Sequence, residues 1–424
     1  MNKPHTNWKK LKIEDCAEVI GGGTPSTKKK EYWDGNISWI TPKDLSNYNN
    51  RYISKGSRNI SEKGLKYSSA RLLPKNSVLL TTRAPIGYLA ISKKELATNQ
   101  GFKSLIMKNG NVPEFFYYLL KNNISKLLQY ASGTTFMELN ATNLKSIEFY
   151  IPEVKEQKRI ASILSALDDK IELNNKTNKI LEEMAQTIFK EWFINFNFPN
   201  EDGKPYKKSG GEMIDSELGK IPKGWKVGTI GDYAKLKSGF AFKNSWWQND
   251  GIPVIKIQNI SSGNLNLEQC SFVSEDKYNI AENFRVNGGD LLITLTGSLG
   301  KFTIVPKLDK DALVNQRVGK FFLGEEPVKK LPFLYGILNE LKDLIVSLAN
   351  GSVQQNISPT DVENVKIIFP NDKILNKYNN LMQDIFYKII FNQKENKKLS
   401  NIRDSLLPKL MTPKGHRADG EIRV

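Results

Sequence analysis

The 424-residue chain nearly repeats itself, and this restricts what it can fold into more than any other feature. Trp8 and Ile13 in WKKLKIED return 217 positions later as Trp225 and Ile230 in WKVGTIGD. ISWITPKDLS (37–46) answers to IPVIKIQNIS (252–261), and SVLLTTRAPIG (77–87) to DLLITLTGSLG (290–300). Asn99-Gln100 answers to Asn315-Gln316. SGTTFMELNATNLKSIEFYIP, ending at Pro152, answers to NGSVQQNISPTDVENVKIIFP, ending at Pro370. Offsets drifting between 213 and 218 are what a shared scaffold with loop insertions produces. The period is far too long for a solenoid, so two copies of one domain are expected.

Each copy carries short segments rich in branched and aromatic residues, bounded by Gly, Pro and Asn, which read as strands. Helical patterns lie between them, such as 113–132 and 332–350, giving a mixed α/β globule in residues 1–151 and again in 225–369. The segment after each globule differs in kind. Beyond Pro152, residues 153–198 contain no Gly or Pro, and they carry an unbroken +4/+3 apolar seam. Its members are Ile160, Leu164, Leu167, Ile171, Asn174, Asn178, Leu181, Ala185, Ile188 and Trp192. Adding 218 gives Tyr378, Met382, Ile385, Ile389, Asn392, Asn396, Leu399, Arg403, Leu406 and Leu410 in the tail region 370–424. Two long helices are expected, the first ending at Phe198-Pro199 and leading into a Gly/Pro/Lys-rich linker, 199–224. Paired asparagines sit at the middle of both seams. Antiparallel pairing of the helices sets the four amides side by side, and a one-heptad slip buries them against Leu and Ile. The expectation is therefore an antiparallel coiled coil relating the two halves by a pseudo-two-fold axis. Exposed asparagines on two separate surface helices are the alternative.

Composition excludes several chemistries. Lys and Arg outnumber Asp and Glu by 62 to 45, a net charge of +17 that calls for an anionic partner, nucleic acid first. The excess is concentrated in residues 1–151, with 23 basic and 11 acidic side chains, against 16 and 15 in 225–369. Two cysteines and two histidines argue against a disulfide framework, a four-thiolate zinc site or His-dependent catalysis. No apolar stretch resembles a signal peptide or approaches the ~20 residues that span a bilayer, so a cytoplasmic protein without membrane contact is expected. No GxxxxGK[ST] loop is present, and none of the 18 prolines precedes Asp or Pro, as nuclease and amino-methyltransferase signatures require. Gly21-Gly22-Gly23 reads as a turn, and Asp168-Asp169 as a solvated helix face. No catalytic residue and no metal site is assigned.

Three stretches carry a resemblance: PEVKEQKRIASILSALDDKIELNNK (152–176), SELGKIPKGWKVGTIGD (216–232) and RDSLLPKLM (403–411). In this order, after two divergent globules, they resemble the specificity subunit of a type I restriction–modification system. That resemblance covers essentially the whole chain. It implies an α+β fold: target recognition domains at 1–151 and 225–369, with conserved helices at 152–198 and 370–424. It implies that each domain reads one half of a bipartite double-stranded DNA site. It also implies two docked modification (methyltransferase) subunits and further restriction/translocase subunits. S-adenosylmethionine, ATP and Mg are then expected on those partners and no cofactor on this chain, a non-catalytic subunit. One departure stands out: the first helix opens Pro152-Glu153-x-x-x-Gln157, the second Pro370-Asn371 with Leu375, so a docking contact there would differ.

The reading residues are what varies in such a family, so no motif identifies them. The repeat supplies a substitute. Residues shared by both copies (Thr81/Thr294, Gly87/Gly300, Asn99-Gln100/Asn315-Gln316) are expected to hold the fold or touch phosphate, and polar loop residues that differ to read bases. These candidates are Lys28, Lys29, Lys30, Tyr32, Asn49, Arg51, Arg58 and Arg83 in the first copy, and Lys243, Asn244, Trp247, Asn264 and Asn266 in the second. Two other readings stay open: a self-sufficient DNA-modifying enzyme with a cryptic site, and a coiled-coil scaffold whose domains bind something other than DNA. Modification of DNA by the chain alone would favour the first, and strongly salt-dependent DNA retention would argue against the second.

Overall fold

In each copy the first and last strands are partners, which is why the repeat begins and ends where it does. The fold is described from a computed structural model over residues 8–46, 48–133, 137–261, 264–267, 269–349 and 355–413. Lys9–Lys12 pairs antiparallel with Glu148–Ile151, and Lys226–Thr229 with Lys366–Phe369. The chain divides into two units, residues 1–172 with 398–424 and residues 173–397. Each unit thus holds one globule, part of the helix that comes after it, and a piece of the other long helix.

The first unit contains a five-stranded sheet in the order Ala17–Gly21, Lys103–Met107, Val78–Thr82, Ile86–Ser92, Tyr52–Ile53. Beside it, Trp33–Ile40 lies between Arg58–Ile60 and Ala97–Thr98 in a three-stranded sheet. The second unit has a sheet of Lys235–Ser238, Val318–Phe322, Leu291–Thr294 and Phe302–Ile304. A second four-stranded sheet there centres on Ile252–Ile255 and Ala312–Val314. The central strands VLLTT and LLIT are buried at every position, so they read as continuous apolar runs rather than as alternation.

The residues common to both copies hold the same turns. Thr81 Oγ1 accepts from the Tyr88 amide at 2.8 Å, and Thr294 Oγ1 from the Lys301 amide at 3.1 Å. Gly87 and Gly300 both have positive φ, +106° and +67°, which a side chain would strain. The Asn99 amide donates to Ile40 O and its Oδ1 accepts from the Gly101 amide; Asn315 does the same with Ile255 O and the Arg317 amide. These residues hold the fold.

The long helices run Val154–Phe189, extended by a π-helical turn Lys190–Ile194, and Asp372–Leu410. The first therefore stops four residues short of the expected Phe198. Glu191 causes the stop: its carboxylate accepts from the side-chain amides of Asn195 (2.7 Å) and Asn197 (3.0 Å), drawing the chain around to Phe196 at φ +58°. The stretch expected to be a linker is also folded. Met213–Ser216 and Gly219–Pro222 form a hairpin, Ile221 is buried, and Phe198 stacks between Tyr206 and Trp225 with ring centroids 4.6 and 4.9 Å away. A few well-spaced apolar anchors suffice there, and composition does not reveal them.

Within the second unit the asparagines meet as expected. Asn392 donates to Asn178 Oδ1 at 2.7 Å, and Asn174 donates to Asn396 Oδ1 at 2.9 Å and to Glu395 at 2.7 Å. Partner numbers fall on one helix as they rise on the other, so the helices are antiparallel. Ile389 is buried beside them, while Leu181, Ile385 and Leu399 are half-buried. In the first unit Ile160 and Leu164 pack with Leu407, Leu410 and Met411, and Leu167 and Ile171 are half-buried. Asp168 is not on a solvated face. It is 6% exposed and accepts from Tyr118 Oη at 2.6 Å and from the Arg403 guanidinium at 2.7 Å.

Candidate nucleic-acid interface

The loop after the strand Ala17–Gly21 of the first unit is extended rather than turned. Gly22 and Gly23 donate backbone bonds to Phe102 O and Thr98 O. A Cβ on Gly22 would lie 2.0 Å from Asn99 O, and one on Gly23 2.2 Å from the Ala70 amide, so only glycine fits. The expectation of a turn at Gly21-Gly22-Gly23 gives way to close backbone packing. Two indoles suspend the rest of this loop: Trp39 Nε1 donates to Gly23 O at 2.9 Å and Trp33 Nε1 to Ser26 O at 3.1 Å. Gly239 takes the same place in the second unit, where a Cβ would lie 2.2 Å from Val314 O.

Lys28, Lys29 and Lys30 project from this loop, all exposed, with Lys29 Nζ 3.0 Å from Tyr32 Oη. Arg58 is exposed at the start of its strand, and Asn49 is exposed. Arg83 is half-exposed and within 3.8 Å of Glu138. In the second unit Lys243 and Asn244 are exposed and Trp247 is half-buried against Phe242. Asn266 is exposed, and its amide donates to Asn259 O. The side chain of Asn264 lies outside the described residues.

Two candidates have other tasks. Arg51 is 4% exposed and donates to Tyr118 Oη at 3.0 Å, to Ser165 O and to Asp169, while its own amide donates to Glu172 at 2.7 Å. It fastens the first globule to the long helix, and its buried guanidinium presents no face to a base. Tyr32 is 7% exposed and belongs to the core with Trp33, Trp39 and Ile60. Polarity and loop position alone do not separate these two from surface residues. Gln157 is also spoken for. Its side chain accepts from the Val112 amide and donates to Asn111 and Pro152 O, which anchors the helix Pro113–Asn122. In the second unit Asn379, one turn further along, accepts from the Phe333 amide instead. At Gln157 the difference between the two helix openings is thus internal, while Glu153 and Asn371 are both exposed.

Lys256 stands where the first copy has Thr41 in the aligned strand ends, a polar difference of the kind used to choose the other candidates. Among the described residues no three His, Cys, Asp or Glu side chains gather as a metal site, and no helix is long and apolar enough to cross a membrane.

The family profile of the type I restriction modification DNA specificity domain matches residues 5–183 and again 222–401. The chain belongs to this DNA specificity family. Within it, the chain is 41% identical to the type I restriction enzyme MjaIX specificity subunit of Methanocaldococcus jannaschii, over 99% of this chain and 94% of that protein. It is 26% identical to the MjaVIII specificity subunit of the same organism, over 99% and 93%. Its fold resembles that of the type I restriction–modification S subunit from M. genitalium, with 18% identity and a TM-score of 0.58. That likeness covers 97% of this chain and 98% of the other. The two profile matches each span one globule and the body of the long helix after it, so the repeat seen in the sequence is a repeat of the family's own domain.

Proposed function

We propose that this chain is the sequence-reading subunit of a type I restriction–modification complex. Each globule reads one half of a bipartite double-stranded DNA target. The chain performs no chemistry itself. Modification subunits supply S-adenosylmethionine binding and methyl transfer, and restriction/translocase subunits supply ATP- and Mg-dependent steps. The observation that carries this reading is the pair of globules with one framework and different polar loops, in a chain 41% identical to a specificity subunit along its length. One framework with two loop sets is what two different half-sites require. Docking is supported by apolar side chains left open on the long helices. Leu173, Ile180 and Met184 follow helical spacing and are 57%, 46% and 47% exposed, and Phe391 is 57% exposed.

The test is reconstitution with a type I modification (methyltransferase) subunit that co-purifies with this chain. The mixture is expected to methylate DNA only at a bipartite sequence, and the purified chain alone is expected to methylate nothing. Modification by the chain alone, or methylation by the mixture without sequence preference, would contradict the proposal.

A further inference from the structure

Each globule carries the same cluster of cations and aromatic rings. Lys29, Tyr32 and Trp33 recur as Lys243, Trp246 and Trp247, all 214 positions on, with the 3-10 turn Lys30–Tyr32 matched by Asn244–Trp246. The first ring of each pair lies parallel to another ring. Tyr32 stacks on Tyr67 at 6.1 Å and 15°, and Trp246 on Phe240 at 5.9 Å and 13°. Lysines flank both stacks: Lys29 and Lys66 in the first, Lys243 and Lys277 in the second. The second ring of each pair is capped by a cation at the same height. The Arg58 guanidinium lies 3.6 Å from the Trp33 ring, and Lys256 Nζ 3.6 Å from the Trp247 ring.

The caps do not correspond in sequence. Arg58 comes from the strand antiparallel to the one that Trp33 opens, whereas Lys256 comes just after the end of Ile252–Ile255. What the two copies share is the position of the charge over the ring, reached by different routes. Among the described residues no carboxylate pairs with either cation, unlike Arg51 with Asp169 or Lys320 with Asp290. Lys256 also donates to the Ser271 hydroxyl at 2.7 Å, a neutral partner that leaves its charge intact. A tryptophan face likewise orients a cation without neutralising it, so the charge stays available to an outside anion.

We infer that Arg58 and Lys256 are matched contacts to DNA backbone phosphates, one per globule, each held ready on the face of a tryptophan. This rests on the DNA-reading function proposed above. Two arguments separate phosphate from base. Globules that read different sequences share only the backbone as a common target. The cap is Arg in one copy and Lys in the other, so what the two share is a positive charge, which is what a phosphate requires, and not the planar fork that Arg alone presents. Arg58 accordingly leaves the set of base-reading candidates.

The experiment uses the full chain in complex with the type I modification (methyltransferase) subunit that co-purifies with it. Binding to a target duplex and to a scrambled duplex is measured by fluorescence anisotropy across a salt series. Arg58→Gln and Lys256→Gln are each expected to weaken both duplexes alike, by about five- to tenfold at low salt. Each should also lower the slope of log affinity against log salt by about 0.9, the share of one phosphate. The charge-keeping changes Arg58→Lys and Lys256→Arg should keep the slope, which separates loss of contact from loss of folding. A loss confined to the target duplex would make these residues base readers and overturn the assignment. So would slopes unchanged by the glutamine variants while the unaltered complex still binds DNA in a salt-dependent way. If the unaltered complex itself binds no duplex in that way, the DNA-reading proposal falls with the assignment.

Discussion

Glu182, on the first long helix, faces a cavity of about 150 Å³ whose walls include Gln186, Phe302, Tyr335 and Asn339. Burial, aided by the charge of Glu183, pushes its carboxyl up from 4.5 to about 6. The folded state therefore holds this proton more tightly than the unfolded one. Stability falls as pH rises from 4.5 towards 6, and above that range a cost on the order of 1–2 kcal/mol persists. Glu182→Gln should stabilise the chain at pH 7.5 and do little at pH 4.5. Urea unfolding at the two pH values checks this, and an equal effect at both would mean that the carboxyl's ionisation does not matter. Asp168 is the opposite case, a buried charge that is fully partnered. Asp168→Ala leaves the Tyr118 hydroxyl without its acceptor and Arg403 with Asp404 alone, which should cost about 1–3 kcal/mol, read as a lowered unfolding midpoint. A change within a few tenths of a kcal/mol would mean that water replaces the carboxylate at no cost.

The long helices show what one element adds beyond its residues. Asn392→Leu leaves Asn178 without its donor and should destabilise by about 1–3 kcal/mol. Changing both asparagines to Leu should cost less than the two single changes summed, because neither leaves a stranded amide. A denaturant double-mutant cycle measures this, and simple additivity would mean the two amides do not act as a pair. This register was legible in the sequence because a period of 3.5 and paired asparagines at mid-seam admit few alignments. The end of the helix was not. It depends on Glu191 reaching Asn195 and Asn197, which local propensity does not encode. Nor was the hairpin at 213–222 legible, since Ile221 and Tyr206 are isolated apolar residues in a polar stretch until Phe198 and Trp225 close on them. Among the candidate site residues, Arg51 and the exposed lysines look alike in sequence. They differ in what the fold brings beside them: Asp169 and Tyr118 for the one, solvent for the others apart from the Tyr32 hydroxyl beside Lys29.

The whole molecule divides its labour between two globules. The uneven charge, +12 in residues 1–151 against +1 in 225–369, predicts that the first supplies most of the sequence-independent attraction to DNA. Sequence reading is assigned to both. A four-residue insertion after Asn178 lengthens the first helix by about one turn and should alter the preferred gap between half-sites without changing the specified bases. Methylation of the same sequence with the same gap would show that helix length does not set the gap. A domain exchange tests the division itself. Residues 225–369 are replaced by the matching segment of another family member, and the complex with a co-purifying methyltransferase subunit is mapped by sequencing modified bases. One half of the bipartite target should change while the other stays as it was. Both halves changing together, or neither changing, would contradict independent reading by the two globules.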